Sequence, residues 1–355
     1  MDQLFASLAR SPRVGLLPPI TAEAAGSPSR APVCINYGHY HLGSRAPLEA
    51  LCAVEDDVEE IDLEANALPS KTLRRLLRMM STMPRLTVLN LSHNTDLGTL
   101  EPCAFAALIE GCRTLAVLKL ANCALTLPQV DDLCAQLARV AGRTPLYHVD
   151  LSANKLGEHC VPGVKVSTKW IQILMSRSRA LTHLDLSRNA LSGSFARAVS
   201  IGMRDTLIET LLLSGNAFGA DSAGDFLAHA IGGSNASLQT LDLTRNGLGC
   251  APALIFANAL WASSTLTTLT LAHNPIGSLG ARALLRAVAT KPEDIDHGWV
   301  ESVDMDRVRS KALGMLKKKA PWKKKRAAEE GVGSRAANTI VLLRTKKKTK
   351  KKTTT

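Results

Sequence analysis

The stretch Leu181-Thr-His-Leu184-Asp-Leu186-Ser-Arg-Asn189-Ala-Leu191 decides the fold of this chain. Leucines stand at its first, fourth, sixth and eleventh places, and an asparagine stands at the ninth. Working outward, the same spacing recurs at Val58, Leu86, Leu115, Leu146, Ile208, Leu238 and Leu266. The eight starts lie 28, 29, 31, 35, 27, 30 and 28 residues apart. A period this steady means stacked structural units, each packed only on its neighbours.

Within a copy, the first half alternates apolar and polar residues, which predicts a short strand with one buried face. The second half has helical spacing, as in Leu73, Leu76, Leu77 and Met80, or Ala281, Leu284, Leu285 and Val288. Successive strands then form one parallel sheet and successive helices an outer layer. The helix layer is the wider, so a right-handed α/β solenoid curved into a horseshoe is expected, with the sheet on its concave side. The ninth-place residue sits where the strand turns away, and its amide can pair backbone groups that a buried turn would orphan. Asn66, Asn94, Asn154, Asn189, Asn216, Asn246 and Asn274 fill that place, and Cys123 fills it in the third copy.

This pattern resembles the leucine-rich repeat family, and its helical form resembles the ribonuclease-inhibitor-like subclass, over about Val58–Thr290. The resemblance implies the fold. It implies little about activity, because members of the family bind many unrelated partners.

Residues 1–30 are rich in Pro, Ala, Ser and Gly and read as a flexible leader. Leu4, Phe5, Leu8, Arg10 and Arg13 also give it a faint likeness to a mitochondrial presequence, which Asp2 and three prolines oppose. Val33 and Ile35 fall where the signature's second and third apolar places, its fourth and sixth, lie one period before Val58, so residues 31–57 are expected to form a degenerate N-terminal cap. Residues 58–299 hold the eight repeats, and Val300, Val303 and Met305 open a C-terminal cap over 300–316. The fourth copy is the longest, and its excess falls at 157–169, where it reads as an edge loop. No apolar run approaches the ~18 residues of a membrane span. None of the eight cysteines forms a C-x-x-C pair, so they read as small core residues of a reducing compartment. The expected location is cytoplasmic or nuclear, with cytoskeletal association or mitochondria as alternatives.

Charge is unevenly spread. From Lys311 onward there are 16 Lys/Arg and 2 acids, whereas the preceding residues carry 27 Lys/Arg and 29 acids. A nearly neutral body thus carries a basic tail over 317–355, expected to stay extended by self-repulsion. Its runs are Lys317, Lys318, Lys319, Lys323, Lys324, Lys325 and Arg326, then Lys346, Lys347 and Lys348 with the lysines that follow. They fit a polyanion tether to RNA or a microtubule, a nuclear address, or a solubility tail, and the sequence leaves these open.

On the strands, the third, fifth and seventh places face solvent. They put Glu60, Asp62, Glu64, Asn90, Lys119, His148, Asp150, His183, Asp185 and Asp242 on the concave face as candidate partner contacts. The acidic residues would attract a basic partner; equally, polar residues there keep an exposed sheet solvated. His148, Asp150, His183 and Asp185 fall on adjacent strands about 4.8 Å apart. They give a set of possible divalent-metal ligands, against which stands simple His–Asp pairing across the sheet. The chain shows no G-x-S-x-G, phosphate-cradling glycine loop or other nucleophile motif, so no enzyme and no cofactor is expected. The reading is a protein-binding scaffold with an electrostatic tail. Its alternatives are a structural part of a ribonucleoprotein or cytoskeletal assembly, and a small-GTPase activator. The last rests on similarity to Ran GTPase-activating proteins, whose segment after the repeats is acidic where this one is basic.

Overall fold

The computed structural model describes residues 21–22, 33–43, 56–140, 142–154, 156–157, 168–178, 180–204, 206–219, 223–233, 237–289 and 341–343. They form two compact units, one drawn from 1–191 and 205–211, the other from 192–204 and 212–355.

In the first unit the signature becomes parallel strands: β3 (Val58–Asp62), β4 (Val88–Asn90), β5 (Val117–Lys119), β6 (His148–Asp150) and β7 (His183–Asp185). Each pairs in parallel with the next, fourth place beside fourth place, as in Leu89 beside Leu118 and Val149 beside Leu184. The fourth- and sixth-place residues point into the core and are buried, whereas the third and fifth are half-open or exposed, except Val117 and Asn90, which are buried. The helical halves give α1 (Ser70–Met80), α2 (Ala106–Gly111), α3 (Leu127–Arg139) and α4 (Lys169–Arg177). In α1 the predicted stripe Leu73, Leu76, Leu77 and Met80 is buried, and Arg74, Arg75 and Arg78 face out. The second copy departs from a plain helix. Two 3₁₀ turns, Thr95–Thr99 and Pro102–Phe105, precede its short α2. Gln129, buried at the start of α3, ties down that irregular stretch by donating to the Leu97 and Leu100 carbonyls at 2.9 Å each.

The N-terminal cap is itself a repeat. Strand β2 (Val33–Asn36) follows β1 (Thr21–Ala22) and lies parallel to β3, with Ile35 beside Ile61. Ile35 therefore holds the fourth place and not the sixth expected from spacing, and buried Tyr37 and Leu42 take the sixth and eleventh. Strand β1 pairs antiparallel with β2 and lies inside the segment read from sequence as a leader.

Strand β8 (Thr210–Leu212) straddles the boundary between units. The second unit continues with α5 (Gly193–Gly202), α6 (Ala223–Gly233), β9 (Thr240–Asp242), α7 (Cys250–Ala262), β10 (Thr268–Thr270) and α8 (Ser278–Ala289). Here β9 and β10 are parallel, and β11 (Val341–Leu343) pairs antiparallel with β10 from within the segment read as tail. In α8 Leu284 is fully buried, but Leu285 and Val288 are 45% and 44% exposed. Helical spacing puts all three on one apolar stripe; α8 is the last described helix, so the described residues supply no following helix to cover it. The C-terminal cap at 300–316, the loop residues 158–167 and the lysine runs lie outside the described residues.

The turn after each strand shows why the ninth place matters. The residue before it is left-handed in every copy: Ala65, His93, Asn122, Ala153, Arg188, Gly215, Arg245 and His273 have φ between 50° and 69°. That conformation costs roughly 1–2 kcal/mol for a residue with a Cβ. The following side chain offsets it by bonding the turn. Asn94 donates to the Leu63, Leu91 and Ser92 carbonyls and accepts from the Leu68 amide. Asn154, Asn189 and Asn274 repeat the arrangement. The Cys123 thiol imitates it, donating to the Leu91 and Ala121 carbonyls at 3.3 and 3.4 Å. Burial pushes that thiol up to about 12, so it stays protonated and remains a donor.

Candidate functional site

The sheet face turned away from the helices carries the candidate residues of the first unit. Glu60 and Asp62 come from β3, Asn90 from β4, Lys119 from β5, His148 and Asp150 from β6, and His183 and Asp185 from β7. Parallel pairing in matched register sets the fifth-place residues side by side: Asp62 with Asn90, Asn90 with Lys119, Lys119 with Asp150, and Asp150 with Asp185. Asp242, on β9, belongs to the second unit.

The fifth place also has a local task that the sequence reading overlooked. Its side-chain oxygen accepts the backbone N–H two residues on, closing an Asx turn as the strand ends. Asp62 does this for Glu64, Asn90 for Ser92, Asp150 for Ser152, Asp185 for Ser187 and Asp242 for Thr244, at 2.8 to 3.1 Å. Asn36 does it for Gly38 in the cap repeat. Much of the acidic row therefore serves strand termination. The signal was legible, because Asp and Asn at one place before a turn are the residues that make such bonds. Asn90 is buried and wholly engaged, its amide donating to Asp62 and Glu64 at 3.1 Å each.

Glu60 and Glu64 open the acidic end of the face. One Glu64 carboxylate oxygen lies 3.7 Å from Nε2 of His39 and 3.7 Å from Nε2 of His93, spanning three successive repeats. Nearby, Arg85 pairs with Glu59 and reaches Asp57 at 4.0 Å. His39 was not foreseen, since its repeat lacks the ninth-place asparagine.

Farther along, His148 and His183 stack with ring centroids 5.8 Å apart. Tyr147, 44% exposed, stands edge-on to His183 at 6.3 Å. Together they make an aromatic shelf flanked by Lys119, Asp150 and Asp185. Each carboxylate has one oxygen closing its own Asx turn, accepting from the Ser152 and Ser187 amides at 2.8 Å. Among the described residues no group of three or more His, Cys, Asp or Glu is placed to hold a metal ion. His148 and His183 thus form a stacked ring pair, with Asp150 and Asp185 beside them as turn-capping carboxylates.

Desolvation holds the His148 imidazole below its usual range, with His183 and Lys119 adding to the effect and Asp150 opposing it. A lowered base favours the neutral form, so this contribution to stability is present above the unfolded value and is lost as pH falls through the folded one. His148 is expected to titrate by NMR with a midpoint below 6.5. Lys119→Ala should raise that midpoint and Asp150→Asn lower it.

The described cysteines are free thiols, and burial pushes Cys112 up to about 11. No helix among the described residues is long and apolar enough to cross a membrane.

Comparison with known proteins agrees with the repeat. A family model described as "Leucine Rich repeat" matches residues 234–249 and 262–285. The chain is 25% identical over 291 residues to a ribonuclease inhibitor from Mus musculus, covering 73% of this chain and 56% of that protein. It is 29% identical over 224 residues to a NACHT, LRR and PYD domains-containing protein 3 from Bos taurus, covering 62% of this chain and 20% of that protein. It thus spans little more than half of the first relative and a fifth of the second. A solved TLR13–ssRNA13 complex aligns at 18% identity and a TM-score of 0.37, covering 64% of this chain and 27% of that one. With its eightfold signature and its strand-and-helix units, the chain is a leucine-rich repeat protein, an α/β solenoid of the ribonuclease-inhibitor-like kind.

Proposed function

We propose that the open sheet face of the first unit docks another protein, making this chain a non-enzymatic interaction scaffold. The observation that carries the reading is the half-open row of Glu60, Glu64, Lys119, Tyr147, His148 and His183. The core does not use these side chains, and they lie on a face fixed by paired strands. Rigid, prepositioned contacts lose little conformational entropy on binding. An exposed tyrosine beside two imidazoles suits a binding anchor. The printed name of the mouse relative describes a protein that acts on another protein, which supports the same class of function. The basic segment from Lys311, with 16 Lys/Arg and 2 acids, adds electrostatic attachment to a polyanion such as RNA or a microtubule, or addresses the chain to the nucleus.

The test must spare the turn-capping aspartates, whose replacement would disturb the strand ends. Glu60→Lys combined with Tyr147→Ala alters two exposed side chains and leaves the Asx turns intact. Proximity labelling in cells with the wild-type chain should mark a partner that the double variant loses, at an unchanged melting temperature. Removal of 317–355 should preserve that partner while changing where the labelling occurs. An identical labelling profile for wild type and double variant would refute the docking face.

A further inference from the structure

The helix side of the first unit holds a second constellation, separate from the sheet face. A cavity of about 400 Å³ opens where α2 and α3 end. Ile109 and Val140 form its apolar floor, and Arg113, Arg139, Arg143, Glu110 and Thr144 line the rest. Its volume falls within the range of small-molecule sites, roughly 300–1,000 Å³. Three guanidiniums share it with a single carboxylate. Arg139 is already committed: it lies 3.6 Å from Glu110 and donates to Gln136 at 3.1 Å. Among the described residues neither Arg113 nor Arg143 has a carboxylate within ion-pairing distance.

Two simpler explanations fall short. Arginines often sit at helix C-termini because the last carbonyls carry about half a negative charge, an influence confined to the final turn. Arg139 occupies that turn in α3, but Arg113 and Arg143 lie beyond the helix ends. Two half-charges would in any case leave a positive excess against three guanidiniums and one carboxylate. Nor can the repulsion be relieved by losing a proton, since arginine stays charged at any physiological pH. An anion relieves it, and a guanidinium pair matches the oxygens of a phosphate with bidentate hydrogen bonds. A phosphate monoester, doubly charged near neutral pH, is enough to offset that excess. The left-handed Gly142, at φ 80°, turns the chain so that Arg143 comes back over the end of α3.

We propose that this cavity binds a phosphate monoester carrying a small apolar group. Arg113 and Arg143 grip the phosphate, Thr144 donates its hydroxyl to it, and the apolar group rests on Ile109 and Val140. The ester's source is either a phosphorylated side chain of a partner or a free organic phosphate.

Calorimetry on the full chain at physiological salt separates these. The probes are phenyl phosphate, N-acetyl-phosphotyrosine amide, AMP and inorganic phosphate. Phenyl phosphate should bind at least several-fold tighter than inorganic phosphate, because only the ester reaches the floor. Tighter binding of the phosphotyrosine amide than of AMP supports the side-chain source, and the reverse order supports the free ester. Arg113→Gln and Arg143→Gln should each weaken phenyl phosphate at least tenfold with unchanged melting, while Arg75→Gln on α1 leaves binding intact. No heat from any ester at millimolar concentration, or equal weakening by Arg75→Gln, overturns the site. Glu60→Lys with Tyr147→Ala should leave phenyl phosphate binding unchanged, so failure here is distinct from failure of the docking face.

Discussion

Asn154→Ala is expected to destabilise the first unit by about 3–5 kcal/mol, shown as a lower denaturation midpoint at unchanged slope. The magnitude follows from what the side chain holds. Its oxygen accepts from the Cys123 and Leu125 amides at 3.1 and 3.0 Å. Its amide donates to the Leu120 and Leu151 carbonyls at 2.9 Å each, and to Ser152 at 3.2 Å. All of this lies out of water, since Asn154 is 5% exposed. Alanine would strand two amides and several carbonyls, and each buried orphan costs about 1–3 kcal/mol. Asn154→Cys should recover part of the loss, because the Cys123 thiol already serves two carbonyls at the same place in the preceding repeat. A cost under about 1 kcal/mol for Asn154→Ala would mean that the turn re-pairs without the amide.

Gly98→Ala should cost about 3 kcal/mol by forcing two neighbouring repeats apart. A Cβ on Gly98 would stand 2.1 Å from the Ala124 carbonyl oxygen, and backbone cannot yield as a flexible side chain would. The same approach recurs two repeats on, where a Cβ on Gly157 would meet the Ala190 oxygen at 2.0 Å. It recurs again in the second unit, where Gly219 would meet the Gly247 oxygen at 1.9 Å. The facing residues Ala124, Ala190 and Gly247 are all left-handed, with φ of 53°, 55° and 72°. The second, fourth and sixth repeats thus present a glycine just past the signature, and the third, fifth and seventh turn a left-handed carbonyl onto it. Gly249→Ala is the control. It opens a helix with nothing within 4 Å of its Cβ, and its replacement should cost only a few tenths of a kcal/mol to about 1. If Gly98→Ala melts like wild type in calorimetry, the repeats are not packed this tightly.

The tight glycines stood in the sequence as Leu97-Gly98, Leu156-Gly157 and Phe218-Gly219, but Gly249 and Gly277 hold the same place with nothing within 4 Å, so spacing alone does not single out the constrained ones. They went unread because the signature ends before the glycine. The cap repeat was half legible. Val33 and Ile35 showed its strand, but Tyr37 stands for the sixth-place leucine and Tyr40 for the asparagine, so a leucine-and-asparagine template passes over it. The aspartates at the fifth place were legible as exposed polar residues and illegible as turn caps, because the bond depends on how the backbone bends after the strand. Leu285 and Val288 show a further limit: helical spacing marks an apolar stripe but does not say what covers it.

The sequence by itself determined the repeating unit, the strand and helix halves, the buried leucine places and the asparagine row. Each is a consequence of spacing along the chain, and burial of one face fixes it without reference to distant residues. Only the tertiary structure decided which side chains from different repeats meet. Arg113 and Arg143 converge on one cavity because α2 and α3 end side by side. His148 and His183 stack because their strands pair in register. Glu64 reaches both His39 and His93 because three turns align. Such meetings depend on packing across a full period of the chain, which a one-dimensional pattern does not encode.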